Sequence, residues 1–66
     1  MPAELLDRAI TFWRIGWYAW AAVSWTAFRI KSPPGLFIGE VQSAIDAGDW
    51  LKAADIAQFK IRPTIV

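Results

Sequence analysis

The chain has 66 residues, 56% of them hydrophobic, with seven lysines and arginines against six acids and a net charge of +1. That length holds one domain at most, and so balanced a charge excludes the basic footprint of a nucleic-acid binder. With no cysteine and no histidine, thiolate metal sites, imidazole ligands and a histidine general base are unavailable, which points away from an enzyme and from a cofactor of the chain's own.

The first element starts near Pro2 or Ala3. Proline suits a first helical turn, and Glu4 and Asp7 suit the positive end of the helix dipole. No breaker follows until Ser32-Pro33-Pro34-Gly35, which stops the helix and makes a turn over 32–35, so residues 1–31 read as one helix. From Ile15 to Phe28 it carries no charge, no proline and no polar face. A helix apolar all round needs apolar surroundings, a large core or a bilayer. A chain this short buries only about 60% of its extended surface, too little to wrap such a helix. The sequence therefore predicts a single transmembrane helix within about Ala9–Ile30, where roughly 33 Å of helix matches a hydrocarbon core of about 30 Å. Gly16 lies inside this span, as glycine does in membrane helices. The acids in the N-terminal flank and the lack of a small-x-small cleavage pattern predict that the segment is retained.

Insertion of this span is marginal. Ile10, Phe12, Ile15, Val23, Phe28 and Ile30 together contribute roughly −2 to −4 kcal/mol, and one arginine at mid-depth offsets most of that. Support from partner helices is implied. Arg29 and Lys31, with no acid until Glu40, place the C-terminus inside.

At 100° per residue the helix carries three stripes. Gly16, Ala19, Ala22 and Thr26 form a small-residue stripe suited to close packing against a partner helix. Trp13, Trp17, Trp20, Ser24 and Phe28 form an aromatic one, and Arg14, Tyr18, Ala21 and Trp25 the third. Trp13, Trp17 and Trp25 are candidate interfacial anchors, with Arg14 and Arg29 snorkelling at the ends. Trp20 falls at mid-span, where it would fill a groove on a neighbouring protein or touch a pigment, quinone or lipid held by a partner subunit.

Residues 36–59 read as a short surface helical hairpin. From Leu36 to Ala47, Phe37, Val41, Ala44 and Ile45 share a face while Glu40 and Asp46 point elsewhere. Gly48 suits the position just past a helix end, and Asp49 suits the N-cap of the next helix. Trp50, Ala53, Ala54 and Ala57 line one face of that helix, which ends near Gln58 or Phe59. The core of the hairpin is expected at Phe37, Val41, Ile45 and Trp50. Residues 60–66 read as an extended tail, since Pro63 disfavours helix at Arg62. Gly48, Trp50 and Ala53, within Ala44–Ala54, resemble the inter-helix turn of a tetratricopeptide repeat. The resemblance covers about a third of one repeat with no second copy, and it implies a helical hairpin.

The fold expected is thus all-α: one transmembrane helix, a surface helical hairpin and an extended C-terminal tail. The function expected is that of a single-span accessory or structural subunit in a multi-subunit membrane complex of respiratory or photosynthetic type. It would sit in a lipid bilayer among larger integral subunits, stabilise their assembly or fill a gap between them. The missing histidine argues against an antenna polypeptide. Two rivals are a self-assembling membrane-active protein of holin or toxin type and a soluble helical protein that oligomerises through its first helix.

Overall fold

The uncharged stretch does not form one helix. In the computed structural model, which describes residues 2–32, 35 and 37–65, it is broken at Gly16–Trp17 into α1 (Pro2–Ile15) and α2 (Tyr18–Lys31). Gly16 has φ +83°, a left-handed conformation that glycine adopts without steric cost. The Trp17 N–H then reaches back to the Phe12 carbonyl at 2.9 Å. The ring of Trp17 stacks on Phe12, with centroids 5.9 Å apart. A six-to-one hydrogen bond around a left-handed glycine, with an apolar contact across it, is the Schellman helix stop.

α1 is amphipathic, and that decides where it packs. Leu6, Ala9, Ile10 and Trp13 are buried at the i, i+3, i+4, i+7 spacing of one helix face, while Asp7, Arg8, Thr11 and Arg14 are exposed. This face lies on α2, whose Ala21, Ser24, Trp25 and Phe28 are buried. Trp13 and Trp25 meet with ring centroids 5.7 Å apart.

α2 ends at Lys31. Ser32 closes it in an extended conformation, its N–H donating to Phe28 O at 2.9 Å. The proline that follows in sequence disfavours helix at that position. Pro33, Pro34 and Leu36, on which the expected 32–35 turn and the start of the next helix rest, lie outside the described residues.

The hairpin is present as α3 (Ile38–Asp46) and α4 (Trp50–Ile56). Gly48 at φ +73° sends its N–H to Ile45 O at 2.9 Å, and the Asp49 N–H reaches Ala44 O at 2.8 Å. This is a second Schellman stop. Asp49 then caps α4, its carboxylate accepting from the Lys52 N–H at 3.2 Å. Val41, Ala44, Ala53, Ala54 and Ala57 are buried and Ile45 and Trp50 partly so. Phe37, expected in this core, is instead 42% exposed at the N-cap of α3, with Lys60 Nζ 5.5 Å from its ring centroid.

Of the extended tail expected over 60–66, the described residues 60–65 are not extended, and Val66 lies outside the described residues. α4 runs on through a π turn, Ala57–Ile61, and a 3-10 turn, Arg62–Thr64. The wider π turn seats Ile61 in the core against α1 with no exposed surface. Arg62, on the next turn, donates from Nε to Asp7 at 2.9 Å. Packing of Ile61 thus outweighs the local preference set by Pro63.

Every regular element among the described residues is helical, but none is long and apolar enough to cross a membrane. The 14 residues of α2 reach about 21 Å, against a hydrocarbon core of about 30 Å. The transmembrane helix, the single-pass membrane location and the orientation with the C-terminus inside are therefore corrected. The break at Gly16 removes the span on which all three stood.

Candidate functional site: the outer face of α2

α2 is apolar on both sides, and the chain covers only one of them. Its inner side is buried as described above. On its outer side Ala19, Ala22, Val23 and Thr26 are exposed, Val23 by 62% and Ile30 by 79%. Trp20, on the flank, is 62% exposed. A shallow depression of about 430 Å³ runs along this side, lined by Ala22, Val23, Thr26, Ala27 and Ile30. Exposed apolar surface of this extent on one helix marks an interaction site more often than chance exposure does.

Ala22 and Thr26 are a ridge with a second, narrower cleft of about 190 Å³ behind it. Four aromatic side chains, Trp13, Tyr18, Trp25 and Trp50, form part of its wall, with Tyr18 and Trp50 stacked at 4.6 Å. One amide organises its polar edge. Gln42 Oε1 accepts from Trp25 Nε1 at 3.3 Å and from Arg29 Nη1 at 3.1 Å. Gln42 Nε2 donates to Asp46 Oδ1 at 3.1 Å. The network holds the Arg29 guanidinium against α3, and from Tyr18 to Phe28 the sequence of α2 carries no charge on any side.

The small-residue stripe read from the sequence is split. Ala19, Ala22 and Thr26 share the outer side of α2, but Gly16 belongs to the turn. Of the expected interfacial anchors, Trp13 and Trp25 are core side chains, 1% and 3% exposed, and meet each other rather than an interface. Trp17 is 58% exposed at the α1–α2 turn. Arg14 is engaged by the chain itself, donating from Nη2 to Asp55 at 3.1 Å and to Gln58. That ion pair is solvent-exposed and holds the end of α1 beside α4 rather than contributing much energy. Arg29 is tied to Gln42 rather than snorkelling.

Sequence reasoning counted Val23 and Ile30 only as apolar length. Their signal was the spacing of Ala19, Val23, Thr26 and Ile30, the four-three-four rhythm of a helix seam. Among the described residues no group of histidine, cysteine or acidic side chains is arranged to hold a metal ion. Compared with protein-family models, with curated proteins and with solved structures, the chain finds no match.

Proposed function

We propose that this chain works as a small assembly subunit, a non-catalytic helical module that acts by packing the outer face of α2 against protein. The exposed row of Val23, Thr26 and Ile30 on a helix whose other side is already buried carries this reading. Water meets an apolar face there, and a partner of matching shape would remove it from water at about 25 cal/mol for each Å² covered. The lack of any histidine or cysteine in the sequence supports a binding role over a catalytic one. Trp20, on the flank, is placed to reach the partner's surface, and tryptophan is among the residues that most often dominate such contacts. The helices behind it act as the scaffold: the Trp13–Trp25 pair fixes α2 on α1, and the Gln42 bridge fixes α2 on α3.

A photoreactive residue placed at Thr26 in native cells tests this, with one at Thr11, on the polar side of α1, as the control. The reading expects adducts from Thr26 at several times the yield from Thr11. Equal yields, or no adduct from Thr26, would contradict it.

A further inference from the structure

We infer that the outer face of α2 takes a second copy of this chain, docked antiparallel about a two-fold axis between residues 24 and 25. The inference rests on reading that face as an interface, and it names the occupant. Ala19, Val23, Thr26 and Ile30 occupy alternating seam positions of a heptad. In an antiparallel pair with this axis, Ala19 lies opposite Ile30 of the other copy and Val23 opposite Thr26. Each layer then sets a small or polar side chain against a β-branched one, so the layers are of similar volume. The flanks follow the same rule: Trp20 faces Ala27 and Arg29 faces Ala22. No like charges meet, although Arg29 is the one charge beside the seam.

A parallel pair fits worse. It stacks Ala19 on Ala19 and Ile30 on Ile30, which leaves one layer hollow and one crowded. It also aligns the two helix dipoles instead of opposing them.

With Trp20 and Val23 each 62% exposed and Ile30 79% exposed, complete coverage of the face would bury at most about 500 Å² per copy, or about 1,000 Å² in the pair, the size of a weak, concentration-dependent dimer. The surface is self-complementary, as an isologous two-fold contact must be. The product is a four-helix arrangement with the two α2 helices central and the two α1 helices outside.

Sedimentation equilibrium of the intact chain is the test. Wild type should show twice the monomer mass of 7.4 kDa as concentration rises. Val23→Glu and Ala19→Glu, both at exposed positions, should sediment as monomers while keeping the wild-type circular dichroism spectrum. The chain has no native cysteine, so register can be read by oxidation. The Ala19→Cys, Ile30→Cys double variant should close into a covalent dimer, because within one chain those two positions lie about 16 Å apart along the helix. Val23→Cys alone should not.

A wild type that stays monomeric at its solubility limit overturns the dimer, as does a dimer that survives both glutamate variants. Covalent dimers from Val23→Cys in place of the double variant overturn the antiparallel register. If wild type is monomeric while Thr26 still yields adducts with a different protein, the second copy is the wrong occupant and the interface stands. If Thr26 yields nothing, the interface reading itself fails.

Discussion

Trp17 closes α1 from outside it, its backbone N–H donating to the Phe12 carbonyl at 2.9 Å while its indole stacks on the Phe12 ring. Two bonded groups five residues apart therefore convert a run of apolar sequence into a hairpin. The residue between them that makes this geometry cheap is Gly16, at φ +83°.

Gly16→Ala distinguishes the hairpin from a continuous helix by sign. A Cβ at Gly16 would approach nothing closer than the Tyr18 hydroxyl at 4.0 Å, so the cost is conformational. Placing alanine in the left-handed region should destabilise the chain by about 1–2 kcal/mol. In a helix interior the same substitution would stabilise it by about 0.5–1 kcal/mol. Urea unfolding followed by tryptophan fluorescence reads the sign.

Two tryptophans five residues apart on α2 should behave oppositely. Trp25 is 3% exposed and packs on both Trp13 and Phe28. Trp25→Ala should cost about 3–5 kcal/mol of stability, as aromatic truncations in cores do. Trp20 stands on the surface, and Trp20→Ala should change the stability of the monomer by no more than about 0.5 kcal/mol. Thermal melts at dilutions where the chain is monomeric check both.

The C-terminal turns should matter to the whole fold. Ile61 has no exposed surface, so Ile61→Ala should cost about 2–5 kcal/mol. An extended, solvated tail would tolerate the change with no measurable effect. Amide exchange along α1, against which Ile61 packs, would show the loss as faster exchange at Ala9, Ile10 and Trp13.

The second half of the chain was more legible than the first because its signals were local. Gly48 and Asp49 carry a helix stop and a cap within two residues, and such chemistry survives almost any tertiary context. Gly16 carries the same stop, but it sits among apolar residues in which a hairpin and a span share one composition. The apolar contact that completes the motif, Phe12 with Trp17, is indistinguishable in sequence from membrane-facing aromatics. The amphipathic face of α1, Leu6 to Trp13, was also present in the residues. It was obscured by an apolar window that began only at Ile15. What is true of α2 in both readings is that it is apolar all round, and the rest of this short chain covers one side of it. The C-terminal turn was missed for a different reason. Pro63 is a local signal, and the burial of Ile61 that overrides it is a long-range one.

The hairpin at Gly16 is the claim on which the outer face of α2 depends, and one distance tests it directly. Spin labels at Glu4 and Lys31, both exposed positions near the far ends of α1 and α2, can be measured by double electron–electron resonance in chain diluted with excess unlabelled chain, so that only distances within one copy are read. A continuous helix would separate those positions by about 40 Å. The folded chain extends 25 Å along its longest principal axis, and the hairpin, which brings the start of α1 back beside the end of α2, predicts a backbone separation well below about 40 Å once the label arms are allowed for. A distance distribution centred near 40 Å would contradict the hairpin and the exposed face derived from it.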